Sequence, residues 1–203
     1  MSPSISSAVS PVNYRIIRSV LLSKKPFYQL DLSKEASASP SQVSRVIRWL
    51  MMRGHVERLP DARYQVRNAV GVIAGMVAYQ RNMDEARVAS FHLRGKKKAI
   101  IETLVKAGGI LCLESALEEY SAYFRPDRIC IYHEEPEELI DRLIPLEGGM
   151  LPVVVFYPDI ALDGDVEKNR RTTKFRTVVD ITCDDKFYAA KDLLEDLWGI
   201  IVE

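Results

Sequence analysis

Apolar residues recur along this chain with two periods, and the switch from one to the other marks out its elements. Tyr14, Ile16, Ile17, Val20 and Leu21 lie at helical spacing within 13–23, and 32–37 reads as a short second helix. The stretch 39–54 is the most fully specified. Ser39 is a good N-cap, Pro40 suits the first helical position where no N–H is needed, and Gln42 at the third position completes a capping box. At about 100° per residue, Val43, Val46, Ile47 and Leu50 share one narrow face, whereas Ser41, Ser44, Arg45 and Arg48 project from the opposite side. Gly54 supplies a left-handed C-terminal turn. Residues 55–58 and 63–66 then alternate as strands around Leu59-Pro60-Asp61-Ala62, a turn signal.

Beyond the hairpin, 69–79 is the longest apolar patch and carries Gly71 and Gly75 at G-x-x-x-G spacing. That spacing predicts a linker helix, over 68–86, that packs closely against one of the domains. A strand over 87–93 and a helix over 96–107 follow, the helix stopped by Gly108-Gly109. The pattern continues with a helix at 114–123, a strand at 129–132, a helix at 134–143 opened by acidic residues with Pro136 in its first turn, and a buried strand at 151–157. A charged loop, 158–171, leads to a strand predicted at 175–182 and a closing amphipathic helix at 186–198. Alternating strands and helices predict a C-terminal α/β domain over 87–203, so the fold class expected for the chain is α+β or α/β.

The chain has 203 residues, enough for two small domains, and its formal net charge is zero. Splitting it at Lys98 changes the picture: residues 1–98 hold 17 Lys or Arg against 6 Asp or Glu, and residues 99–203 hold 11 against 22. A +11 half attracts a phosphate backbone and a −11 half repels it, so nucleic acid is expected to meet the N-terminal half. The Ser/Pro-rich residues 1–12 lack a basic n-region and an apolar core, and read as a disordered tail rather than a signal peptide. No apolar run reaches the roughly 20 residues needed to span a bilayer. Cys112, Cys130 and Cys183 are far apart with no C-x-x-C pair, which reads as reduced thiols in a cytoplasmic protein and signals neither zinc nor disulfides.

Helix, helix, turn, helix and hairpin within 13–67 is the winged helix-turn-helix order. The segment resembles the winged-helix transcription regulators, with Val43-Ser44-Arg45, Leu50 and Gly54 in the pattern of a recognition helix. The resemblance implies double-stranded DNA as partner. Ser41, Gln42, Ser44, Arg45 and Arg48 are the candidates for base edges in the major groove, and Arg58 and Arg63 reach phosphate or minor groove from the hairpin.

Signs of chemistry in the second half are sparse. Asp163-Gly164-Asp165 with Glu167 opens like a calcium loop, but Lys168 and Lys174 stand where the sixth-position Gly and twelfth-position Glu are needed, so a solvated acidic loop is the expectation. As the Mg²⁺ pair of a nucleotidyltransferase, Asp163 and Asp165 lack a preceding Gly-Ser phosphate turn, since neither Gly108-Gly109 nor Gly148-Gly149 is followed by Ser. Asp180 is expected on a strand with no second acid on its face, and His55, His92 and His133 stand apart from any catalytic partner. No cofactor, metal site or enzymatic activity is therefore expected.

The order of motifs runs further than the first domain. Tyr79-Gln80-Arg81 is followed by Leu113-Glu114-Ser115-Ala116-Leu117, by Ile129-Cys130-Ile131-Tyr132, by Thr177-Val178-Val179-Asp180-Ile181, and by Tyr188-Ala189-Ala190-Lys191-Asp192-Leu193-Leu194. In this order, across about 14–199, the chain resembles the AbiEi-type antitoxins of type IV toxin–antitoxin systems. It departs from them at Thr182-Cys183-Asp184-Asp185, where a glycine-arginine turn is usual. The resemblance implies an autorepressor that binds inverted repeats, as a homodimer or one copy per repeat. It also implies functional pairing with a nucleotidyltransferase-like toxin. Two alternatives stay open: a nucleotidyltransferase-like enzyme fused to a DNA-targeting winged helix, and a regulator whose α/β half senses a ligand.

Overall fold

In the computed structural model, residues 10–77, 83–121, 123–158, 162 and 164–201 are described. The chain divides into two compact units, Met1–Gln80 and Arg81–Glu203. This boundary redistributes the charge. Residues 1–80 hold 11 Lys or Arg against 4 Asp or Glu, and residues 81–203 hold 17 against 24, so the units carry +7 and −7. Arg94 and Lys96 to Lys98 thus belong to the acidic unit.

The first unit begins with α1 (Pro11–Leu22), whose cap is the Ser10 hydroxyl accepting the Asn13 N–H at 3.3 Å. Pro11 and Val12, read from sequence as the end of a tail, are its first residues. Its buried stripe of Tyr14, Ile16, Ile17, Val20 and Leu21 faces α2 (Gln29–Glu35) and α3 (Pro40–Met52). The turn between α2 and α3 passes through Ser37 at φ 47°, and is tied down by Ser33 Oγ donating to Ala38 O at 2.6 Å and Arg15 Nε donating to Ala36 O at 3.0 Å. The capping box forms as expected. Ser39 Oγ accepts the Gln42 N–H at 3.3 Å, and Gln42 Oε1 accepts the Ser39 N–H at 3.0 Å. Gly54 follows the helix at φ 71°, and a Cβ there would meet nothing, so it is the left-handed backbone that calls for glycine.

β1 (Val56–Arg58) and β2 (Tyr64–Val66) form an antiparallel hairpin with Arg58 opposite Tyr64. A contact not foreseen from the sequence extends it. Phe27, in the α1–α2 connection, bridges Tyr64 with N–H···O bonds of 3.0 and 2.8 Å, and the two rings stack at 6.3 Å. Residues 78–82 of the segment expected as one linker helix lie outside the described residues, and a helix is described on either side of them. α4 (Ala69–Val77) buries Val72, Ile73 and Met76 in the first unit, and α5 (Met83–Ala86) opens the second. The two glycines of α4 permit close packing there: a Cβ on Gly71 would lie 2.5 Å from the His55 ring, and one on Gly75 3.2 Å from Trp49.

The second unit is built on a mixed sheet in the order β3-β6-β5-β4, from β3 (Arg87–Leu93), β4 (Ile110–Leu111), β5 (Ile129–Tyr132) and β6 (Leu151–Phe156). β5 and β6 pair in parallel and the outer pairs are antiparallel. Phe91, Leu93, Ile129, Ile131, Val153 and Val155 on one face pack with Ile100 and Leu104 of α6 (Lys97–Lys106) and with Leu139 and Leu143 of α8 (Pro136–Leu143). α7 (Leu113–Glu118) lies against β5 and against α9 (Lys174–Cys183), which α10 (Lys191–Trp198) packs beside. The fold is mixed α and β with a small sheet. Among the described residues no helix is long and apolar enough to cross a membrane.

Three expectations need correction. The predicted strand at 175–182 is the helix α9, capped by Thr173 Oγ1 accepting the Arg176 N–H at 3.3 Å. It is buried from Phe175 to Ile181, so no solvent face revealed its period, and its β-branched residues carried a strand propensity that packing overrode. Arg176 and Asp180, four apart, share a face in either geometry, because four is two strand repeats and close to one helical turn. Asp180 is accordingly a helical residue. Finally, α7 ends at Glu118, not at 123.

Candidate nucleic-acid interface

α3 presents its polar side as a continuous stripe. Ser41, Arg45, Arg48 and Met52, at i, i+4, i+7 and i+11, are all exposed, while Val43, Val46, Ile47 and Leu50 on the opposite side are buried. Such an arrangement leaves a helix free to enter a groove about its own diameter in width without disturbing the core. Ser44 is half-buried beside this stripe. Gln42 is also half-buried, and its carboxamide oxygen is occupied by the cap, accepting the Ser39 N–H and the Ser39 hydroxyl at 2.9 Å. Its position at the start of the helix is therefore shared with a structural duty. Neither Arg45 nor Arg48 has an ionic partner among the described residues, so both charges are open to an anion. Met52, 80% exposed, was not among the sequence candidates, although it stands one turn beyond Arg48 on the same stripe. Near the helix end, the Arg53 guanidinium lies 4.2 Å over the Trp49 ring.

The hairpin arginines differ from those of the helix. Arg58 is exposed at the end of β1 and has no ion pair among the described residues. Arg63 is held by the turn itself. Its Nε donates to Asp61 Oδ2 at 2.7 Å, its Nη2 lies 2.5 Å from the same oxygen, and its backbone N–H donates to Asp61 Oδ1 at 3.1 Å. These bonds hold the Asp61 carboxyl below the usual carboxylate range and raise Arg63. Arg67 is likewise paired, 2.5 Å from Glu57. All seven sequence candidates thus lie in one unit, five on α3 and two on the hairpin, but Arg63 is already occupied by a carboxylate two residues away.

In the second unit many acidic side chains are engaged internally. Glu114 accepts from Arg128 and, at 2.7 Å, from Lys186, and Asp184 accepts from the same two cations at 2.9 and 2.6 Å. Burial works to raise the Glu114 carboxyl, but these hydrogen bonds outweigh it and the group sits below its ordinary value. Arg176, only 1% exposed, donates to Asp180 at 2.7 Å and to the Tyr132 hydroxyl at 3.2 Å. In the loop expected to be solvated, Asp165 is fully buried and accepts from Thr173 Oγ1 at 3.2 Å, and Glu167 accepts from Tyr120 and Arg171 at 2.8 Å each. Asp163 lies outside the described residues. Burial pushes the Cys130 thiol up to about 12 and raises Cys112 as well, the opposite of what a nucleophile needs. Exposed acid gathers on and before α8, at Glu134, Glu135, Glu137, Glu138 and Asp141.

The chain matches no protein-family model, and no curated protein matches it.

Proposed function

We propose that 11–66 is a winged helix-turn-helix that places α3 in the major groove of double-stranded DNA, and that the protein is a sequence-specific transcriptional regulator. The observation that carries this reading is the exposed Arg45 and Arg48, without an ion pair among the described residues, on a helix with a capping box, a buried opposite face and a glycine stop. The Phe27–Tyr64 bridge adds support, because it fastens the hairpin to the helical core as a wing must be fastened to reach a backbone beside the groove. Arg45 is the choice for a bidentate guanine contact, Ser41, Ser44 and Arg48 flank it, and Arg58 meets phosphate. By its resemblance to the AbiEi-type antitoxins, the protein is an autorepressor acting on inverted repeats and paired in function with a nucleotidyltransferase-like toxin, its second unit performing no chemistry.

Selection of bound duplexes from a random pool tests this. The expected result is an enriched motif whose preference at one base position collapses in Arg45→Ala, with a loss of about 1–3 kcal/mol on the enriched site. Failure to enrich any motif, or an unchanged motif and affinity in both Arg45→Ala and Arg48→Ala, refutes the assignment.

A further inference from the structure

We propose that Asp61 is an intramolecular competitor for the phosphate contact of Arg63, so that the hairpin engages DNA only by exchanging one anion for another. The inference rests on the DNA-binding reading of the first unit and goes beyond it by assigning a role to a carboxylate. Of the three arginines in and beside the hairpin, Arg63 and Arg67 are each paired with an acid of the same hairpin, and Arg58 has no ion pair among the described residues. Asp61 reaches Arg63 through two guanidinium nitrogens and the backbone N–H together, which directs the fork toward the turn. Asp61 Oδ2 takes Nε and Nη2 together, the same edge of the fork that a phosphate oxygen would engage, while Oδ1 holds the backbone N–H.

Exposed pairs of this kind are held weakly, so the competition is finite and readable. Because a phosphate contact carries no base information, Asp61 lowers affinity for all sequences alike. The effect falls on the electrostatic part of binding, which is the part that salt reports.

The test uses the full chain and two duplexes of equal length, the selected site and a scrambled one, titrated by fluorescence anisotropy at salt concentrations from about 50 to 200 mM. Asp61→Asn keeps an oxygen to accept the Arg63 N–H while removing the charge, and Asp61→Ser is a second neutral variant should the first alter the turn. Either variant is expected to bind both duplexes about 3–10-fold more tightly and to steepen the salt dependence by up to about 0.9 in log–log slope, the value of one added phosphate contact. In an Arg63→Ala background the same change is expected to shift affinity by less than about 2-fold, which separates direct competition from the general field of a lost charge. Equal effects in the two backgrounds, or no gain from either neutral variant, overturn the role given to Asp61 while leaving DNA binding intact. Absence of binding by the wild type and every variant overturns the DNA-binding reading and this proposal with it.

Discussion

Replacing Asp180 by Ala should unfold the second unit far more readily than its size as a substitution suggests. The Asp180 carboxylate and the Arg176 guanidinium are 3% and 1% exposed and meet at 2.7 Å along one turn of α9. With the carboxylate gone, the cation loses its 2.7 Å partner on the same helix and keeps among its contacts the Tyr132 hydroxyl at 3.2 Å and the Tyr132 ring at 5.4 Å. Breaking a buried pair by removing one partner costs about 3–5 kcal/mol. That is a large fraction of the roughly 5–15 kcal/mol that holds a domain together. The double variant Arg176→Met with Asp180→Leu removes both charges and fills similar volume. It should be less unstable than Asp180→Ala, because it leaves no member of this pair charged and buried. Trp198 packs edge-on against Phe175 of α9 at 6.3 Å, so in a Trp49→Phe background its fluorescence during urea unfolding reports this unit. If Asp180→Ala falls by less than about 1 kcal/mol, or if the double variant is as unstable as the single one, then loss of the buried pair is not the source of the instability.

The Glu114 cluster predicts a pH dependence. The folded carboxyl titrates below its ordinary value, so its stabilisation is present above the ordinary carboxylate pKa and is lost as pH falls through the folded one. Lys186, raised by Asp184 and Glu114 against the opposing effect of burial, contributes stability that is full below the ordinary lysine pKa and lost only as pH rises through its folded value. The melting temperature of Glu114→Gln should therefore decline less than that of the wild type on acidification, and parallel acid limbs would refute this. Gly71→Ala should destabilise the first unit by about 1–3 kcal/mol, because the added methyl meets the His55 ring and Asn68. The Trp49 signal measures it, and an unchanged urea midpoint counts against the close approach. On an inverted-repeat duplex, the proposed winged helix predicts two copies at saturation, because a single such module has a small footprint, and sedimentation showing a 1:1 complex would exclude it.

What was legible in the sequence is what short-range chemistry decides. The ends of α3 follow from Ser39, Pro40, Gln42 and Gly54, each acting through bonds or backbone angles within a few residues, and its two faces follow from the period of its apolar positions. The hairpin around Leu59 to Ala62 and the apolar strands β5 and β6 were legible for the same reason. The candidate interface inherits this, because Ser41, Arg45 and Arg48 are exposed simply by being on the side that the core does not use. Tertiary structure decided the rest. α9 could not be recognised as a helix, because complete burial removes the polar face that displays a period, and Arg176 and Asp180 fit both periods. Asp165 reads as a solvated acid until the fold closes over it and supplies Thr173, and Phe27 reads as a connection until Tyr64, far along the chain, pairs with it. Gly71 and Gly75 foretold a close approach, but only the folded unit supplied His55 and Trp49 as the groups that approach. Those outcomes depend on which distant groups arrive, and that is set by the packing of the whole unit.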